Sequence, residues 1–547
     1  MEVGALKKLT AWALGMTLVL GGCGSSDPSP EQVTGAPGSG AGEADPAAKP
    51  GEAPGQQPGE TTPPGTGPAI PSDMPKIGTL DVTLKADRAA NNAVVSFGVP
   101  FPQGVFTDAK SVTLKNKAGV AVPISTSVLA TWPGDGSIRS VLVAFKTTLA
   151  SGATESWKLD YGTPTTSADA GKLDANPDGP VVASLTADHY AKSHVSGVVI
   201  SVAANQRFAA YDAEMASTFP AINFGAYKVE CGGSSARTYY DGPHARYQRF
   251  VRVGSAATLR AAHDEAKFFR ANELIFSQGR KLAVHTCEGA AWTPAKPLDW
   301  GSLRQMYVQG MLDDYLLTGD PAAKEAVLGM GEAFRQNLPA LTSQSPPILE
   351  ITERNLGWTL IGLSGYYALD SRAEVRDALD SLVTRTIAWQ NRGTSGGLEH
   401  DIVRPDPEEC GNGPKGSSPF MTSIVVDGLM DYWLLTGDTA KVEPFMKKLA
   451  NWYEKDAITS DKQAFRYLWN CLDNAYDSSD TADLNLLIVH VFGAAYAVTK
   501  DKRWLDVGDT IADSGIAGMY VGAPKQWDQA GRSFGKYLGY RAMGAAP

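Results

Sequence analysis

The chain has 547 residues, 43% of them hydrophobic, and a formal net charge of -10. That length supplies two to four cored domains, and the acidic balance excludes nucleic acid as a general partner while leaving acidic sugars open, since only the local field matters there. No CxxC pair or His-rich cluster argues for a metal, and no cofactor is expected.

Lys7 and Lys8 precede the apolar run Leu9 to Leu20, which leads into Leu20-Gly-Gly-Cys23. The run is short for a membrane span, and the pattern resembles a bacterial lipoprotein signal. The resemblance implies cleavage before Cys23 and lipid on its thiol, so that residues 1–22 are removed and the mature chain is tethered to the cell envelope, at the outer membrane or the cell surface. An ordinary cleaved secretory signal is the alternative. Residues 23–75 are Gly, Pro, Ser, Thr, Ala and Glu with almost no large apolar residue, a composition that stays a tether because it cannot bury enough surface to fold. An exported chain allows disulfides among Cys231, Cys287, Cys410 and Cys471; chain order suggests 231 with 287 and 410 with 471, but four cysteines allow three pairings.

Between Lys76 and Pro294 strand signals are frequent and helical periodicity is poor: Leu80 to Leu84, Ser111 to Leu114, Ile138 to Phe145, Val198 to Val202 and Arg249 to Val253, punctuated by turn residues. This half is expected to be antiparallel β in two modules, 76–165 and 166–295. From Arg237 to His285 nine Arg or Lys face four acids; solvent-facing arginines on strands and a binding patch both fit.

From 296 onward the chain reads as helices. Gly310-Met-Leu-Asp-Asp-Tyr-Leu-Leu-Thr-Gly-Asp320 returns as Gly428-Leu-Met-Asp-Tyr-Trp-Leu-Leu-Thr-Gly-Asp438, with fainter echoes at Tyr367-Ala-Leu-Asp-Ser-Arg372 and Tyr496-Ala-Val-Thr-Lys-Asp501. Each copy predicts a helix stopped by a left-handed glycine and followed by an aspartate cap, with Pro321 at a tolerated first-turn position. A ring or arc of helical hairpins is the expected result, in which the phrase is a stop-and-start signal that touches no substrate.

The β half carries a family resemblance. Val99-Pro-Phe-Pro-Gln-Gly104, and Trp132-Pro-Gly-Asp-Gly-Ser-Ile-Arg139 running into Val141 to Phe145, resemble the N-terminal barrel of the exo-rhamnogalacturonan lyase family. Asp241-Gly-Pro-His-Ala-Arg246 and Leu282-Ala-Val-His-Thr286 are similar to that family's central β-sandwich. The resemblance implies a multidomain β plus α protein: a barrel at 76–165, a β-sandwich at 166–295 and an α/α toroid at 296–547. It further implies β-elimination on a uronic acid-containing polysaccharide, in which a base takes the C5 proton and a cation or hydrogen-bond donor stabilises the developing enolate.

Candidate residues follow from residue type and position. The Gly/Pro-rich stretch 391–419 is long for a compact domain and carries Arg392, Glu399, His400, Asp401, Arg404 and Lys415. His400 as base beside Arg404 as carboxylate neutraliser is the leading pair, against a plain surface loop. Arg354 and Asn355 near a helix start, with Trp358 stacking on a sugar face, form a second group together with Arg392; Trp358 as simple core is equally open. Tyr240 and His244 flank a Gly-Pro turn and are expected to project from the sandwich rim. Two other classes compete: a helical-ring glycoside hydrolase with Glu399 and Asp401 or Asp427 as paired carboxylates, and a non-catalytic glycan-binding lipoprotein.

Overall fold

The computed structural model describes residues 70–224, 237–276, 282–284, 303, 305–343, 345, 347–400, 416–470 and 482–543. Cys23, Cys231, Cys287, Arg404, Asp401, Cys410 and Cys471 lie outside them.

Residues 78–184 form a barrel-like β domain. Strands β1 (Gly78–Ala86), β3 (Val112–Lys115), β6 (Thr154–Tyr161) and β7 (Val181–Ser184) make one sheet in the order β3-β6-β1-β7. Strands β2 (Ala90–Pro100), β4 (Ile124–Thr131) and β5 (Ile138–Leu149) make a second, ordered β2-β5-β4. On β1 the alternation Val82, Leu84, Ala86 turns every second residue into the core. β5 departs from that rule, with residues 138–145 all buried, because both of its faces are covered. Its second face meets helix α5 (Gln309–Thr318): Ser140 Oγ donates to the Leu316 carbonyl at 2.7 Å. On the neighbouring strand, a Cβ added at Gly98 would stand 2.0 Å from that same oxygen.

The sequence reading of a central β-sandwich is corrected here. After β7 the chain folds into α1 (Ala187–Ser193), α2 (Ala209–Thr218), α3 (Gly242–Val253) and α4 (Ala256–Asn272), and only the short pair β8 (Leu274–Phe276) and β9 (Leu282–Val284) is extended. Arg249 to Val253, expected as a strand, is the last part of α3. Asp241 accepts the His244 N–H as its N-cap, Pro243 sits in the first turn, and Gly254 closes the helix at φ 73°. The arginines that suggested an exposed strand are buried and paired instead: Arg237 with Glu265 at 3.0 Å, Arg246 with Asp528 at 2.9 Å, Arg252 with Asp212 at 2.8 Å.

The helical domain continues with α6 (Pro321–Ser343), α7 (Glu353–Leu369), α8 (Ala373–Arg392), α9 (Pro419–Thr436), α10 (Thr439–Trp452), α11 (Asn485–Ile488), α12 (His490–Thr499), α13 (Arg503–Ala517) and α14 (Pro524–Ala542). Helices α3, α5, α7, α9, α11–α12 and α14 pack each against the next, and α14 returns to α3, which closes an inner ring. Outer helices α4, α6, α8, α10 and α13 each back an inner one. The toroid therefore begins at α3, not at residue 296. Inner helices are buried on all sides, as in α5 and α9, whereas α8 and α13 keep a solvent face. Ala482–Thr499 is apolar enough by length and composition to cross a membrane, yet 83% of it is buried inside the ring.

The repeated phrase builds the ring as expected, with one addition. Gly319 and Gly437 take φ 77° and 69° and end α5 and α9. Asp438 then caps α10 by accepting the Lys441 N–H at 3.1 Å. The leading glycines serve the packing of inner helices: a Cβ at Gly428 would lie 2.5 Å from Leu360 Cβ of α7, and one at Gly310 would lie 2.6 Å from the His244 nitrogen of α3.

The connections divide into two kinds. Those leaving inner helices are tight turns, as at 319–320, 370–372, 437–438 and 500–502, on the end where α5 meets the β domain. Those leading back into inner helices are long: 277–308, 344–352, 393–418 and 453–484. Aligning the two phrases sets Gln309 opposite Asp427, so α9 runs eight residues further than α5 towards the long connections, about 12 Å at the rise of an α-helix. The first turns of α3 and α5 accordingly open inside the ring.

Candidate functional site

The ring interior holds charge where a simple bundle would hold leucine. Asp427, on α9, accepts from Arg532 Nη1 at 2.6 Å and from Lys536 Nζ at 3.0 Å, both on α14, and lies 3.2 Å from His490 Nε2. Burial alone would raise the Asp427 carboxyl, but the two cations outweigh it and hold the group well below the usual carboxylate range. Arg532 Nη2 also donates to Gln309 Oε1 at 2.8 Å, and Gln309 Nε2 donates to Asp431 Oδ2 at 2.7 Å. Asp241, at φ 61°, accepts the His244 N–H through Oδ1 and the Gly310 N–H through Oδ2, each at 3.2 Å, and so caps two inner helices at once.

Next to this network is a cavity of about 30 Å³, lined by Arg139, Ser196, His244, Gln309, Asp313 and Asp431 among others. Such a space takes a water molecule or the tip of a larger ligand. His244 Nδ1 is 2.7 Å from Asp313 Oδ2, which also accepts from Ser196 Oγ at 2.8 Å. Burial pushes the imidazole well down and the Asp313 carboxyl well up, so the pair is driven to a net neutral state. With the carboxyl proton lying towards Nδ1, the ring carries its N–H on Nε2, and Nε2 has no partner among the described residues. Asp431 is raised to about 6, by burial first and by Asp427 second, against the lowering effect of Lys536.

Arg139 reaches this cavity from the β domain. Asp135 accepts from the Ser137 N–H and hydroxyl at 3.0 and 2.7 Å, and the Trp132 indole donates to the Phe101 carbonyl at 2.9 Å. This fixes the turn 132–137, so that β5 begins at Ile138 and its second residue enters the toroid. The Arg139 guanidinium lies 4.7 Å from the Trp132 ring centroid.

With this motif traced, the comparison with known families is decisive for one domain. Residues 82–156 match the PcRGLX-like N-terminal RIFT barrel domain. That model describes the N-terminal domain of the exo-rhamnogalacturonan lyase family, and within the matched stretch Arg139, at the end of the Trp132 turn, is the residue that lines the cavity. Comparison with curated protein sequences gives no match. Among solved structures the chain is similar to a cellobiose 2-epimerase from Spirochaeta thermophila DSM 6192 (15% identity, 62% of this chain and 98% of that one, TM-score 0.41). It is also similar to a sugar epimerase from a ruminal bacterium (15%, 50% and 74%, TM-score 0.38) and to a family 76 glycoside hydrolase from a bovine Bacteroides thetaiotaomicron strain (7%, 80% and 77%, TM-score 0.31).

The residues expected from sequence are distributed differently. His244 stands at the site, on α3 rather than on a sandwich rim. Tyr240 is buried just before α3 at φ 69°, its ring 4.8 Å from that of Tyr239. Trp358 is interior, 4.7 Å from the Tyr307 ring and 4.9 Å from the Arg532 guanidinium, so no sugar face can stack on it. Arg354 Nη1 is 3.4 Å from the Tyr239 hydroxyl, Asn355 donates to the Ile348 carbonyl at 3.2 Å, and Arg392 pairs with Glu350. His400 is buried with Nδ1 3.2 Å from Glu353 Oε2, and its backbone bridges to Gly416. Glu399 accepts from the Thr394 and Ser395 amides and tightens its own loop. Asp313 and Asp431 sit inside the repeated phrase, whose local signals are those of helix stops and starts, so the sequence alone does not single them out.

For a metal, His263, Asp314 and Asp320 bring ligand atoms within 4.8 Å of one another. Arg270 already bonds both carboxylates, and Tyr247 and His263 complete Asp314, so a guanidinium fills the role of the cation.

Proposed function

We propose that the protein is a glycan-processing enzyme that cleaves a uronic acid-containing polysaccharide by β-elimination, with Asp431 as proton acceptor and His244, backed by Asp313, as proton donor. The observation that carries this reading is one cavity lined by an acid-base pair of opposite character: a carboxyl that titrates near 6 and a histidine whose Nε2 is left for a ligand. A base with a pKa near the working pH is ionised and still accepts a proton readily. As the C5 proton moves to Asp431, charge develops on the sugar carboxylate, and the departing oxygen takes the Nε2 proton. Asp313 can then pass its own proton to Nδ1, so that no isolated imidazolide is left in a buried site. The RIFT barrel match supports an acidic glycan as substrate.

The test is incubation of the protein with a panel of uronate polysaccharides, followed in the ultraviolet for unsaturated uronyl ends. Asp431→Asn keeps side-chain shape, His244→Asn keeps a polar group near the Nδ1 position, and each should abolish the absorbance. New reducing ends without absorbance would instead assign Asp313 and Asp431 to hydrolysis, and full activity in Asp431→Asn would remove that residue from the chemistry.

A further inference from the structure

We infer that Arg139 of the β domain is the receptor for a carboxylate in the toroid cavity, so that the site is composite and selects an anionic sugar over its neutral counterpart. This deepens the reading above and rests on it for the identity of the ligand as a sugar, though not for the charge of the group bound.

Arg139 is 4% exposed, and its one hydrogen bond among the described residues runs from Nη2 to the Val195 carbonyl at 3.3 Å. Its Nε and Nη1 have no partner there. A buried guanidinium with two open donors is costly unless something accepts from them. The aromatic ring of Trp132 at 4.7 Å offers attraction but no acceptor. The carboxyls nearest in charge, Asp313 and Asp431, are those that burial pushes towards the neutral acid, while the one firmly ionised, Asp427, is bonded to Arg532 and Lys536. The His244 Nε2 on the same cavity is likewise open. Two unpartnered N–H donors on different edges of one guanidinium and one of an imidazole, on residues that line the same small cavity, describe an oxyanion receptor. In an arginine brought by a different domain, the same geometry makes the β domain part of the site rather than an appendage.

The experiment is calorimetric titration of the full chain with sodium galacturonate, with galactose, which has the same ring without the carboxylate, and with sodium acetate, which has the carboxylate without the ring. Galacturonate is expected to bind, galactose not, and acetate to compete with galacturonate. Arg139→Met should weaken galacturonate about tenfold or more, and Arg139→Lys, which keeps the charge and loses the fork, should fall between. Equal binding of galactose and galacturonate to the wild type overturns the inference, as does an unchanged Kd in a folded Arg139→Met. If neither anion binds, the guanidinium is satisfied by water and the inference falls. The wild-type comparison decides even if Arg139→Met fails to fold. Binding without any unsaturated product would sink the lyase reading and leave the receptor standing.

Discussion

Asp313 and Asp431 occupy the same position in the two copies of the repeated phrase, and both line the cavity that Arg139 enters from the β domain. The ring thus reuses one inward-facing helical position twice. At that position α5 places a carboxyl against an imidazole, and α9 places one against an amide. The rest of the phrase is structural, so selection on the ring and on the chemistry falls on the same eleven residues.

Asp431 ties stability and activity to one titration. Its carboxyl is raised in the fold from 3.8 to about 6, so the protonated form is the one the fold favours. The stability it contributes is full below about pH 4 and is lost as pH rises through about 6. A base must be ionised, so turnover should rise over the same interval. Asp431→Asn should flatten the melting temperature between pH 4 and 6 and raise it at pH 7, while removing activity at every pH. A melting profile of the Asn variant that parallels the wild type would show that another group titrates there.

Gly428 has space for nothing larger. An added Cβ would stand 2.5 Å from Leu360 Cβ and 3.0 Å from the Ile361 nitrogen, backbone that the inner ring cannot move cheaply. Gly428→Ala is expected to cost about 1–3 kcal/mol, read from chemical denaturation. Gly119→Ala is a useful contrast: nothing lies within 4 Å of its added Cβ, so any cost there comes from φ 77° alone.

What could be read from the chain were the features whose cause is local. Thr318-Gly319-Asp320 and Thr436-Gly437-Asp438 stop and start helices through their own backbone and hydroxyls, and β1, β3 and β5 announce themselves by composition. The middle of the chain was misread because Arg249-Phe-Val-Arg-Val253 alternates like a strand, although Asp241, Pro243 and Gly254 mark helix ends at the right spacing. The arginines that blurred the helical pattern find their acids far away, at Asp212 and Asp528, and no window of sequence shows such partners. Asp313 and Asp431 were hidden for the same reason: their meaning comes from His244 and Arg139, which lie on other elements.

Asp241 caps α3 and α5 together, and its two oxygens can be separated by mutation. Asn keeps one acceptor oxygen and tolerates the left-handed backbone, so Asp241→Asn should lose one cap, about 1 kcal/mol. Asp241→Ala loses both and adds left-handed strain of about 1–2 kcal/mol, so its cost should be at least double that of Asn. Equal destabilisation by the two variants would mean that the second oxygen, on Gly310 N–H, contributes nothing.

His400 and His244 make opposite predictions. His400 is enclosed with Glu353, whose Oε1 accepts from the Ser417 hydroxyl and the Ser418 amide at 2.8 Å each, so it ties residues 400 and 416–418 to the start of α7. Removing its ring takes away the close contact with the Glu353 carboxylate and leaves a void in a buried place, a cost of about 1–3 kcal/mol. His400→Ala should therefore lower the melting temperature while the surviving folded protein keeps its specific activity. His244→Asn should do the reverse, melting near the wild type and losing kcat, because Asn still presents an amide oxygen to accept the Asp313 carboxyl proton but offers no imidazole proton to the cavity. Measuring both variants for melting temperature and kcat separates the roles; a His400→Ala protein that folds fully yet is inactive would return the chemistry to the 393–418 connection.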